Sequence, residues 1–181
     1  MQKRKLFIEI KVPGSVKKRL QEKTEKWKDL PVKWTKKENL HITLLFLGYV
    51  DETALPEICY KVSEVADQFE VFDLNFNIIE IGPIPEKPRM IWFSGEASEE
   101  LKNLYQELQK TLGMFQAERK EFRPHVNLGK IRKTRWEELE NKPQIKDQFK
   151  VSIPVENICV MESREGEDGR EYHVIENCTL S

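Results

Sequence analysis

The stretch Leu40 to Val50, LHITLLFLGYV, decides how this chain is read. Its density of leucine, isoleucine and phenylalanine is that of a strand buried in a sheet, yet it opens on two polar residues, His41 and Thr43. Residues i and i+2 of a strand share a face. Alternation therefore predicts that His41 and Thr43 project together, with Ile42, Leu44 and Phe46 on the opposite, core side. A second stretch, Phe122 to Ile131 (FRPHVNLGKI), repeats the pattern 84 residues further on, with His125 and Asn127 on one face and Val126 and Leu128 on the other.

Working outward, Lys5 to Val12 (KLFIEIKV) reads as a strand ending at Pro13-Gly14. From Ser15 to Leu30 the apolar positions Val16, Leu20, Trp27 and Leu30 have helical spacing, and Pro31 stops the helix. A second helix opens after Asp51 and Glu52, with Leu55, Ile58, Val62, Val65 and Phe69 on one face. Val71 to Ile81 and Met90 to Gly95 read as strands around a proline-rich turn, Pro83 to Pro88. Helical spacing returns at Leu101, Leu104, Tyr105, Leu108 and Leu112, and Trp136 to Glu140 suits a short helix. Two last strands, Phe149 to Glu162 and Glu171 to Leu180, flank the exposed turn Arg164 to Gly169. The crossovers are irregular and hairpin turns are present, so the fold class is α+β with mainly antiparallel sheets. Each half holds a helix followed by a histidine strand, which points to two related lobes within one domain, residues 1–181.

The bulk composition narrows the function. With 30 Lys and Arg against 31 Asp and Glu, the net charge is −1, and a protein that follows a long stretch of nucleic acid carries a basic excess. A nucleic-acid partner is therefore expected to be met at one end or one nucleotide. Three cysteines, Cys59, Cys159 and Cys178, with no CxxC pair, argue against a disulfide framework and suit a reducing cytoplasm. No signal peptide or apolar span is read, so the expected location is cytoplasmic. No long apolar helix face is left over, which favours a monomer.

One histidine between apolar neighbours is most often a core or edge residue. Two of only three histidines in the same pattern, His-apolar-polar-Leu with a glycine downstream, are a different matter. The third, His173, has no such context and reads as a surface strand residue. Opening a cyclic phosphodiester needs one group to take a proton from the attacking water and another to give one to the departing oxygen. Histidine suits both tasks because it titrates near neutrality. Adjacent hydroxyl or amide groups can hold the non-bridging oxygens.

The chain resembles the 2H phosphoesterase superfamily and within it the RNA 2′,3′-cyclic phosphodiesterases, formerly called 2′-5′ RNA ligases. The matching stretches are Leu6 to Pro13 (LFIEIKVP), Val32 to Gly48 (VKWTKKENLHITLLFLG), Pro88 to Gly95 (PRMIWFSG) and Glu121 to Arg132 (EFRPHVNLGKIR). The resemblance implies a bilobal fold, two mainly antiparallel sheets facing a central cleft with helices outside. It also implies hydrolysis of RNA 2′,3′-cyclic phosphate ends, or of small cyclic nucleotides, to 2′-phosphomonoesters, without cofactor or metal, and with reversible 2′-5′ ligation as a further activity. Carried over by residue, His41 is the proton donor to the 3′-oxygen, His125 the proton acceptor from water, and Thr43 a phosphate ligand. Spacing alone does not distinguish acid from base. Asn127 stands where the family has Thr or Ser; it keeps a donor but is longer and planar. Lys130 and Arg132 are further phosphate candidates, with a solvated strand end as the competing reading. Arg123 is either a cleft cation or half of a structural ion pair. Tyr49 and Trp34 are candidates for stacking on a base.

Zinc, P-loop, dinucleotide and serine-hydrolase signatures are all missing. The remaining alternative to the enzyme is a module of the same fold that binds a nucleotide or RNA end without turnover. Asn127 favours that alternative and the intact histidine pair favours the enzyme, since arginine or lysine would serve pure binding better.

Overall fold

The computed structural model describes residues 1–113 and 122–181. Glu121, the first residue of the matching stretch Glu121 to Arg132, lies outside them. Strands and helices follow the order β1 (Lys3–Lys11), α1 (Gly14–Thr24), β2 (Val32–Trp34), β3 (His41–Asp51), α2 (Leu55–Ala66), β4 (Phe72–Ile84), β5 (Lys87–Gly95), α3 (Glu99–Thr111), β6 (His125–Ile131), α4 (Lys133–Glu137), β7 (Lys146–Val155), β8 (Asn157–Gly166) and β9 (Gly169–Thr179).

All recorded strand pairs are antiparallel. They form two blocks, β7-β4-β5-β6 and β3-β1-β8-β9, which meet where β6 adjoins β3. The recorded joint is one residue pair, Ile42 opposite Val126. Beyond it, β2 takes over the edge of β6, pairing Val32 with Ile131 and Trp34 with Gly129. The α+β expectation of antiparallel sheets with outer helices holds. On the second block α2 packs against β8, β9 and α3, and α3 against β3. On the first block α1 lies over β7, with the Arg19 guanidinium 4.6 Å above the Phe149 ring. Leu20, Ile42, Ile58, Val62, Leu101, Leu104 and Val126 are fully buried beneath these helices.

Three local expectations are corrected. The run Phe149 to Glu162 is not one strand. It breaks at Glu156 into β7 and β8, which lie in opposite blocks of the sheet. The proline-rich turn is tighter than expected, because β4 and β5 continue through Pro83 and Pro88 and leave only a two-residue hairpin at Pro85-Glu86. Phe46 does not face the core. It is 62% exposed, because a bulge intervenes.

That bulge is the main local event in the fold. Ile8 pairs with Leu45 and Glu9 with Thr43, so Leu44 opposes no residue and the strand turns over there. Leu44 and Leu45 are both buried, and Phe46 emerges on the face of His41 and Thr43. In β6 the same thing happens at the same offset. Ile91 pairs with Gly129 and Trp92 with Asn127, leaving Leu128 unopposed, and Lys130 emerges on the face of His125 and Asn127. Counted from each histidine, both strands run half-buried, buried, half-buried, buried, buried, exposed, buried.

Candidate active site

His41 and His125 each begin a strand, and the Ile42–Val126 pair lies between them. An antiparallel pair has a local two-fold axis, so His41 and His125 stand in equivalent positions about that joint. Continuing the register by one residue each way sets His41 across from Asn127 and Thr43 across from His125. The four side chains that sequence alternation groups are thus brought to one face at the meeting of the two blocks.

The imidazoles are oriented alike. His41 Nδ1 lies 2.6 Å from the Asn39 carbonyl oxygen and His125 Nδ1 lies 2.7 Å from that of Arg123. A carbonyl only accepts, so both Nδ1 atoms carry hydrogen and both Nε2 atoms point away from those carbonyls. Nε2 of His41 is 2.9 Å from the Thr43 hydroxyl, which can donate to the neutral ring or accept from the protonated one. Burial pushes both histidines below their ordinary pKa, and the Asn39 and Arg123 carbonyls pull the other way. The Lys17 ammonium and the partner imidazole add to the lowering at His41, as the Arg123 guanidinium does at His125.

Each ring also rests on aromatic neighbours. The Trp92 indole stacks on His125 with 3.7 Å between centroids and 14° between planes. His41 meets Phe7 at 5.2 Å and the edge of Tyr172 at 5.1 Å. Gly82 makes room for the indole, since a Cβ there would stand 2.5 Å from Trp92 Cδ2. Sequence reasoning reaches Trp92 only as part of PRMIWFSG, and misses Tyr172 altogether; its place beside His41 comes from the β8–β9 hairpin folding back, which no local pattern announces.

Asn127 accepts a hydrogen bond from the Gly129 amide through Oδ1, at 3.2 Å. That contact fixes the orientation of its side chain and leaves the Nδ2 hydrogens as the donors available to the face. Lys130 and Phe46 occupy equivalent exposed positions five residues past their histidines, roughly 16 Å along the strand. Lys130 is therefore set apart from Thr43 and Asn127 along the strand, on the same face but not beside the imidazoles. Arg132 is not brought to the site. It lies past the end of β6 at the start of α4, where its backbone amide donates to Pro31. Arg123 donates to the Pro83 carbonyl at 2.8 Å and lies 4.0 Å from Glu80, and its guanidinium sits 5.3 Å over the Trp92 ring that stacks on His125, so it combines a structural contact with a place beside the site. Tyr49 sits far along β3 beside Lys5, and Trp34 lines a hollow under α1 with Leu20 and Leu128, so neither adjoins the histidines. His173 faces Glu171 on the outer strand.

The carbonyl that orients His41 is itself held in place. The Asn39 side chain donates to the Arg170 carbonyl at 2.9 Å, and Lys36 donates to that of Asp168 at 2.8 Å. The β8–β9 hairpin tip thereby clamps the segment leading into β3. Asn39→Ala removes one clamp without touching the imidazole. A drop in kcat of roughly tenfold is expected from loosened ring orientation, with stability lowered by only about 1 kcal/mol. Single-turnover rates and urea melts check this; an unchanged kcat would release the hairpin from any part in orienting His41.

All three cysteines are free. Among the described residues no three His, Cys, Asp or Glu side chains are grouped as metal ligands, and no helix is long and apolar enough to cross a membrane.

Comparison with known proteins places this arrangement. An RNA 2′,3′-cyclic phosphodiesterase of Thermotoga maritima is 35% identical over 141 residues, 74% of either chain. One of Methanocaldococcus jannaschii is 30% identical over 149 residues, 80% of this chain and 79% of its own. Among solved structures, a Thermus thermophilus protein superposes with a TM-score of 0.84 at 23% identity over 97% of both chains. Escherichia coli LigT complexed with 3′-AMP superposes with a TM-score of 0.80 at 17% identity over 99% of both. The model of the 2′-5′ RNA ligase superfamily matches residues 15–167, which include both histidine strands, and the chain belongs to that superfamily.

Proposed function

We propose that the chain, acting as one bilobal unit, hydrolyses the 2′,3′-cyclic phosphate at RNA ends to a 2′-phosphomonoester, with His41 and His125 as the proton-transferring pair. The observation that carries this reading is the matched anchoring of both imidazoles: each donates from Nδ1 to a carbonyl two residues earlier and leaves Nε2 for the face between the blocks. Relatives named RNA 2′,3′-cyclic phosphodiesterase, at 30 to 35% identity over about three quarters of the chain, support the same activity.

In this reaction water attacks phosphorus, the P–O3′ bond breaks, and the phosphate stays on the 2′-oxygen. His125 takes the proton of the water and His41 delivers one to the 3′-oxygen, an order drawn from the family resemblance. Thr43 and the Asn127 amide hydrogens hold the non-bridging oxygens as charge gathers on them. A 5′-hydroxyl in place of water would give a 2′-5′ linkage by the same transfers. Phe46, exposed beyond His41, offers a surface on which a base could stack, and Lys130 offers charge to an adjoining phosphate.

The pH dependence follows from the two lowered histidines. The free enzyme is competent when one imidazole is protonated and the other is not. Both protonate only below 6.5, so the maximum of kcat/KM is expected on the acid side of that value. A bound phosphate monoanion favours the protonated rings, so the kcat profile is expected further to the alkaline side.

The test is a short RNA ending in a 2′,3′-cyclic phosphate, followed from pH 5 to 9 with and without EDTA. Chelator-resistant conversion to the 2′-phosphate end, with an acid-shifted bell in kcat/KM, is the expected result. Tight binding without product would instead identify a recognition module, and loss of activity in EDTA would call for a metal.

A further inference from the structure

Among the described residues, Glu9 is the one carboxyl buried on the histidine face. It lies in β1, exposed by only 5%, and makes no hydrogen bond among the described residues. On β3 its register partner is Thr43, the residue whose hydroxyl meets His41 Nε2, and on β8 it is Cys159. Phe7, two residues earlier on the same strand face, touches the rings of His41 and Tyr172 and packs on Met161. The groups facing Glu9 are Lys11 on its own strand, Lys17 from α1, the Cys159 thiol from β8 and the Tyr172 phenol from β9. From β3 come Thr43 and, opposite Lys11, His41. Neither lysine comes within ion-pair distance of Glu9 among the described residues.

Directly opposed residues of an antiparallel pair place their Cβ atoms about 5 Å apart, so the Glu9 carboxyl adjoins whatever Thr43 holds. In the proposed reaction Thr43 holds a phosphate whose charge changes. The cyclic diester has no second ionisable oxygen and carries one negative charge. The monoester carries up to two, its second proton leaving near pH 6.

We propose, resting on the function proposed above, that Glu9 selects by phosphate charge: it admits the singly charged cyclic diester and disfavours the doubly charged monoester that hydrolysis leaves, so that product departs. Burial pushes its carboxyl up to about 7 against the pull of Lys17 and Lys11. Its charge is therefore set in the range where the monoester gains its second. Sequence alternation gives no hint of this role, since a glutamate between isoleucines in KLFIEIKV reads as an ordinary solvent-facing position.

Two unreactive ligands separate charge from turnover: 3′-deoxyadenosine 2′-phosphate, a monoester, and its methyl ester, a diester. Neither can cyclise, so their dissociation constants are measured by calorimetry on the wild type and on Glu9→Gln at pH 5.5 and pH 8. At pH 8 the variant is expected to bind the monoester roughly tenfold more tightly than the wild type, and the diester only about threefold more tightly, as one extra unit charge across a partly screened cleft requires. At pH 5.5 the two proteins should bind both ligands alike. An equal monoester-to-diester ratio in the two proteins at pH 8 overturns the inference. Should Glu9→Gln fail to fold, Glu9→Met, which keeps the length and suits the apolar neighbours, takes its place in the same comparison at pH 8, and an equal monoester-to-diester ratio there overturns the inference too. If neither ligand binds the wild type, the phosphate site itself falls, whereas binding with an unshifted ratio leaves the phosphodiesterase reading intact and removes only the role of Glu9.

Discussion

Alanine at His41 or at His125 is expected to lower kcat on a cyclic-phosphate RNA by about a thousandfold, the range typical of a lost proton-transfer group. The two variants should be nearly equivalent. Each imidazole is anchored by one short bond to a carbonyl and turns the other nitrogen to the shared face, that of His41 against the Thr43 hydroxyl, so in the proposed reaction each supplies one of two transfers that occur in the same step. The double variant should be little worse than either single one, because a transition state lacking one transfer gains little from the other. Folding should survive, since both rings are only half-buried at the sheet surface and neither belongs to the main apolar cluster. His125→Ala uncovers one face of Trp92 and should cost the more stability of the two. Single-turnover rates beside urea melts separate the effects. A variant keeping a tenth of wild-type kcat would remove that histidine from the proton-transfer pair.

The second large effect concerns stability. Glu9→Gln is expected to stabilise the protein by about 3 kcal/mol at pH 8 and not at all near pH 4. The unfolded chain ionises this carboxyl near 4.5, the folded chain near 7. A folded-state pKa raised in this way contributes stability that is complete below 4.5 and lost as pH climbs through 7, because the unfolded chain gives up the proton first. That difference, at 1.36 kcal/mol per pH unit, sets the size. Glutamine keeps the shape and removes the ionisation. Urea unfolding of both proteins at pH 4, 6 and 8 measures it; a difference between them that does not vary with pH would show that the buried carboxyl ionises as freely as an exposed one.

How far the sequence can be read depends on what kind of signal each residue leaves. Alternation groups His41, Thr43, His125 and Asn127 correctly because i, i+2 spacing is a backbone property and holds up to the first irregularity. It misassigns Phe46 for the same reason: the pairing skips a residue at Leu44, and strict alternation runs straight across. The doubled leucine, Leu44-Leu45, is the trace of that bulge, since two successive buried positions cannot alternate. The run from Phe149 to Glu162 misleads because continuous strand propensity says nothing about which block a strand joins, and the change of block falls at Glu156 between two strands of similar apolar content. Trp92, Tyr172 and Glu9 owe their places to pairings between distant segments, which no window of sequence contains.

The repeated seven-residue burial profile and the single-rung joint at Ile42 and Val126 together give the face a local two-fold symmetry. A strand that pairs antiparallel with a second copy of itself generates both halves of such a joint from one sequence. The two histidine strands thus meet as two such copies would, and the matched positions at which they differ, Phe46 against Lys130, are where one half of the face is apolar and the other charged.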